Sequence, residues 1–130
     1  MFRPETIIEK KSALFGVVVL VVVGTLMVPV ILPHFYHGLH VIHISLHIGG
    51  LVLACFLASI ANIAFIRLKT KRLLFTAIAF SMFIVAECVL LVEATWPAMF
   101  EIYTLSLLEV GHILTIGTLG LLALGVLRND

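Results

Sequence analysis

Residues 60–80 read IANIAFIRLKTKRLLFTAIAF. Two long apolar runs meet there at Arg67-Leu-Lys-Thr-Lys-Arg72, which holds four of the chain's eight Lys and Arg residues. A break this short joins two helices only as antiparallel neighbours. A basic turn between apolar runs is also the mark of a cytoplasmic loop between membrane spans. Working outward from that turn, four apolar runs cover about residues 12–32, 38–66, 73–92 and 102–127. Each is long enough to cross about 30 Å of hydrocarbon at 1.5 Å per residue. The other breaks are as short: Pro33 with His34 to His37, and Thr95-Trp96-Pro97-Ala98. The expected fold is all-α, a polytopic membrane protein with four antiparallel transmembrane helices and short loops, in a single domain over residues 1–130.

Composition excludes the main rivals. Of 130 residues, 62% are hydrophobic and 12% charged, with a mean hydropathy of +1.26; a soluble domain is about 45–50% apolar and about a quarter charged. Disorder fails on the same figures, since so little of the chain is polar enough to stay in water. A net charge of +1 with no aromatic-interleaved basic tract sets nucleic acid aside. Cys55 and Cys88 lie inside apolar runs with no CxxC around them and read as small buried hydrophobes. The first run exceeds a signal h-region, no small-x-small cleavage site follows Val30, and it is expected to persist as a helix. Being Val-rich all round, it suits a scaffold facing lipid or another subunit. Ala54 with Ala58, Ala77 with Ser81, and Gly117 with Gly120 would allow close helix contact.

Lys and Arg set orientation, because acidic residues hardly bias insertion. With four spans, Arg3, Lys10, Lys11, Arg67, Lys69, Lys71, Arg72 and Arg128 share one side. The expectation is a plasma-membrane protein with both termini cytoplasmic and the His-rich end extracytoplasmic. Phe35, Tyr36, Trp96 and Tyr103 then form an interfacial belt on the outer side, beside Glu93 and Glu101.

Five of the six histidines, His34, His37, His40, His43 and His47, sit at the outer end of the second run; His112 is in the fourth. At 100° per residue His40, His43 and His47 fall within a sector of about 60°, with His37 about 60° further round. An ionisable residue in a bilayer usually faces the bundle interior or a wet cavity. Counting 1.5 Å per residue from the cytoplasmic edge puts Glu87 at about 21 Å, His112 at about 22 Å, Glu109 at about 27 Å, His47 at about 28 Å and His43 at about 34 Å. Three helices thus bring their ionisable residues to one outer layer. Glu109 and His112, three residues apart, form a Glu-x-x-His pair on one face, which Ser106 continues outward.

A carboxyl at that depth must be protonated, paired or bound to a cation. Imidazole with carboxylate suits a transition metal, namely zinc, copper(II) or non-haem iron. The candidate ligands are His40, His43, His47, Glu87, Glu109 and His112. A bundle-type di-iron site needs two Glu-x-x-His pairs and two further glutamates, and one pair is present. Haem b is the alternative cofactor, held between His47 and His112 with Gly49, Gly50 and Gly111 making room, against a height difference of about 6 Å and two nearby carboxylates. Each residue also has a plainer reading. His34 and His37 are solvated at the headgroups; His40, His43 and His47 bond lipid, water or a partner subunit. Glu87 is a protonated acid bonded to a carbonyl or serine, Glu109 and His112 bond one another, and Glu93 and Glu101 are solvated. No Ser-His-Asp set, HExxH helix or phosphate-binding loop appears, so catalysis by this chain alone is not expected.

The stretch from about Leu46 to Arg128, through RLKTKR, VAECVLLVEA and LLEVGH, resembles small archaeal membrane proteins of three or four short-looped helices; HFYHGLHVIHISLH lies outside that pattern. The chain also looks like the small accessory subunits of archaeal ammonia monooxygenase, a copper membrane enzyme. That resemblance implies an outer-face histidine cluster near copper, although no residue here matches a copper ligand of the enzyme's main subunits. The functional expectation is a small accessory subunit of a membrane oxidoreductase. Its His/Glu cluster would bind or neighbour a transition metal, and its partners would be the bilayer and other membrane subunits or further copies of itself. A cytochrome b-like electron carrier and a purely structural assembly subunit are the alternatives.

Overall fold

The basic turn shows why the chain breaks where it does. Lys69 adopts a left-handed conformation (φ 54°) and gives its N–H to the Phe65 carbonyl at 2.8 Å, which closes the helix before it. Thr70 is extended (φ −81°, ψ 147°), and its hydroxyl accepts the Leu73 N–H at 3.4 Å as an N-cap for the next helix. Two residues, Lys69 and Thr70, therefore separate one helix from the next.

The computed structural model describes residues 4–34, 38–96 and 107–128. These form helices α1 (Pro4–Leu26), α2 (Leu39–Leu68), α3 (Lys71–Thr95) and α4 (Leu107–Leu127), with no strand among the described residues. All four are long and apolar enough to cross a membrane. α3 overruns its apolar run at both ends, beginning at Lys71 and ending at Thr95, because hydropathy marks the stretch lipid would cover while caps mark where the helix stops. Residues 35–37 and 97–106 lie outside the description, and with them His37, Phe35, Tyr36, Glu101, Tyr103 and Ser106; so does Arg3.

α1 widens at Met27–Ile31 into a π-helical stretch and closes with a short turn, Leu32–His34. Pro29 lies inside the widened stretch. It has no N–H for the carbonyl four residues back and its ring crowds that carbonyl, which a wider turn relieves.

Packing follows chain order: α1 lies on α2, α2 on α3, and α3 on α4, and the last two seams are far the more extensive. Among the described residues no extensive seam joins α1 to α4. A core of Val30, Ile44, Leu51 and Leu91 links α1, α2 and α3, and Phe15 meets Phe56 edge-on at 5.1 Å. The seams are lined by small residues: Ala54, Ala58 and Ala61 on α2, and Ala77, Ala79 and Ala86 on α3, are all buried. Ser81 and Gly120, expected in such contacts, are exposed, and so is Cys88. The accessible surface of 9040 Å² compares with about 6,800 Å² for a compact soluble protein of 14.3 kDa. The excess is apolar: Leu20, Leu46, Ile116 and Leu127 are each more than two-thirds exposed.

Candidate functional site

Three successive features of α2 build the site. His47 faces α3, Gly50 follows one turn later on the same side, and Ala54 continues the stripe with no exposed surface. Without a side chain at position 50, the Glu87 carboxyl can lie against the α2 backbone. A Cβ built on Gly50 would come within 2.8 Å of Glu87 Cδ and Oε1 and 2.9 Å of Oε2. His47 Nδ1 then sits 3.0 Å from Glu87 Oε2, with the two side chains only 17% and 12% exposed. The sequence places His47 and Glu87 in one outer layer and, in its plainer reading, gives Glu87 a carbonyl or serine as partner; in the structure that partner is His47.

When Glu87 is ionised and the imidazole neutral, Nδ1 carries the proton and donates to the carboxylate, which leaves Nε2 as a bare lone pair. The His43 ring stands edge-on to His47, perpendicular to it with centroids 4.8 Å apart. His43 itself is exposed, as is His40, whose ring lies 5.6 Å from that of His34. His34 is half-buried, with Nδ1 2.9 Å from the Val30 carbonyl, so it is held by the fold rather than simply solvated.

The other expected ligands do not join this group. α4 turns Gly111, Thr118 and Gly125 into its seam with α3, where a Cβ on Gly111 would come within 2.5 Å of Leu90 Cδ2. Glu109 and His112 fall on the exposed side of α4. Among the described residues, no three His, Cys, Asp or Glu side chains gather closely enough to hold a metal ion. His47 and His112 stand on helices that both pack on α3 and barely touch one another.

Glu93 differs from its reading in the sequence: expected to be solvated, it is half-buried, and its Oε2 is enclosed with no hydrogen-bond partner among the described residues. It lies seven residues beyond the buried Ala86 and so on the same face of α3, a spacing that would have revealed it. No protein-family model matches the sequence, and no curated protein and no solved structure is found similar to it.

Proposed function

We propose that the chain is a membrane-spanning accessory subunit of a larger membrane oxidoreductase complex, and that its outer-layer histidines on α2 bind or neighbour a transition metal. The observation that carries this reading is the Glu87–His47 bond. Metal-ligating histidines characteristically give their other ring N–H to a carboxylate, which fixes the tautomer and raises the basicity of the free nitrogen. Glu87 serves His47 in that way, and His43 supplies a second imidazole beside it. Glu87 thus acts as a positioning residue rather than a ligand. Two histidines do not complete a coordination sphere, so the remaining ligands come from a partner chain that covers the exposed His40 and His43. Copper(II), zinc and iron all suit imidazole.

Membrane insertion is supported by four helices of sufficient length and hydropathy and by the apolar exposed faces. Antiparallel neighbours are supported by the order of contacts. Gly50 meets Glu87 near one end of the α2–α3 seam, while Asn62 and Phe65 share a cavity with Leu74 and Ala77 toward the other. On α4, Gly111 approaches Leu90, and Gly125 approaches Phe75. The purely structural reading is favoured by the absence of a three-ligand group among the described residues.

Elemental analysis with a visible spectrum, on protein purified gently with its partners attached, separates the two. The expected result is near-stoichiometric copper, zinc or iron without a Soret band, lost in His43→Ala/His47→Ala. Glu87→Gln should weaken metal binding by about 10–100-fold. Neither metal nor haem in the intact complex would overturn the metal reading and leave an assembly subunit.

A further inference from the structure

The exposed side of α4 carries an acid and a base one turn apart, Glu109 and His112, within a surface otherwise made of Leu108, Ile113, Ile116 and Leu119. In a membrane-spanning helix, lipid is a poor environment for either group, and such residues ordinarily face protein or water. Among the described residues, α3 is the one helix that packs extensively on α4, and it does so on the opposite, glycine-bearing side. We infer that a second copy of the chain docks here, with His112 of each copy donating to Glu109 of the other.

The argument for a second copy is charge complementarity. Two copies inserted the same way up are related by a rotation about the membrane normal, and a two-fold axis brings one face against itself. Identical residues then meet at equal height, so a face bearing acid alone or base alone would repel its twin. A face bearing both, separated by one turn and about 4.5 Å of rise, matches acid to base twice. A carboxylate accepts several hydrogen bonds, so this pairing is compatible with the other interaction Glu109 makes. Below the polar pair, Gly120 is exposed and a Cβ there would meet nothing within 4 Å, which leaves room for a second helix to approach closely. This face lies across α3 from the His47–Glu87 pair, so the inference does not depend on a metal.

The test is a charge rearrangement in the full-length protein, read as dimer fraction in mild detergent by light scattering. The wild type should be a dimer. E109H makes both positions basic and H112E makes both acidic, so each variant alone should dissociate with a constant raised about tenfold. Co-expressed, the two variants should recover a mixed dimer. Cross-linking of Ile116→Cys in a Cys55→Ala/Cys88→Ala background in native membranes, with the charges intact, should trap the dimer; Leu53→Cys, exposed on α2, should not. A monomeric wild type, singles that pair as well as their mixture, cross-linking at Leu53 alone, a dimer that a chelator dissociates, or a different chain trapped at Ile116 would each overturn the inference.

Discussion

Gly50 and Glu87 carry the most informative relation in the molecule, because each makes sense only through the other. Within a helix, glycine costs about 1 kcal/mol relative to alanine. Here its lack of a side chain leaves the space that the Glu87 carboxyl fills beside His47. Gly50→Ala should therefore cost about 1–3 kcal/mol through overpacking. On a Glu87→Ala background the same change should turn neutral or stabilising by up to about 1 kcal/mol, since the clash is gone and the helix propensity gained. Thermal unfolding of the four proteins in detergent measures that coupling. Additive effects would place the carboxyl elsewhere. That His47 and Glu87 share one layer was legible from helical spacing and matched heights, whereas the expected inward aim of the whole stripe holds for His47 and not for the exposed His40 and His43. The outward aim of Glu109 and His112 was not legible, because rise along a helix is fixed by residue count whereas rotation relative to a neighbour is fixed by which residues pack. Gly111, Gly117 and Gly125 mark the side of α4 that α3 approaches.

At the scale of the element, hydropathy located four helices, while where each helix stops and which neighbours it packs on rest on features that hydropathy does not carry. Caps such as Lys69 and Thr70 are set by backbone dihedrals that an average over residues does not register. A row and a closed bundle bury the same number of small residues per seam, so Ala54, Ala58 and Ala77 mark contact faces without saying how many neighbours a helix has. Gly38 illustrates a backbone requirement in isolation. It precedes α2 with φ 55° and ψ −121°, its carbonyl accepts the Val41 N–H at 3.1 Å, and an added Cβ would touch nothing within 4 Å. Any penalty at this site is conformational. Gly38→Ala should destabilise by about 1–3 kcal/mol, seen as a lower Tm in detergent. An unchanged Tm would mean that this turn relaxes to a negative φ at no cost.

For the whole molecule, the question is which side of the membrane the His-rich end occupies, since a site completed by another chain must be reached from there. The eight Lys and Arg residues are distributed so that, with four antiparallel spans, all fall on the side of the Lys69–Thr70 turn. Loops this short are the ones whose basic residues govern orientation. Two cations also cover the ends of the seams there: Lys69 lies over the Phe65 ring at 5.2 Å and Arg128 over Phe75 at 5.3 Å. A single basic side predicts one orientation with the His-rich end outside. In a Cys55→Ala/Cys88→Ala background, Trp96→Cys should react with an impermeant maleimide added to intact cells, and Thr70→Cys should react only after lysis. Replacing Arg67, Lys69, Lys71 and Arg72 with Gln leaves Arg3, Lys10, Lys11 and Arg128 on the same side and should weaken the bias without reversing it. Adding lysines around Trp96 to the same variant should bring a measurable share of chains in the opposite way, with Thr70→Cys now labelled from outside. Labelling of Thr70→Cys in the otherwise unaltered chain would reverse the assigned topology and put the His47–Glu87 layer nearer the cytoplasm.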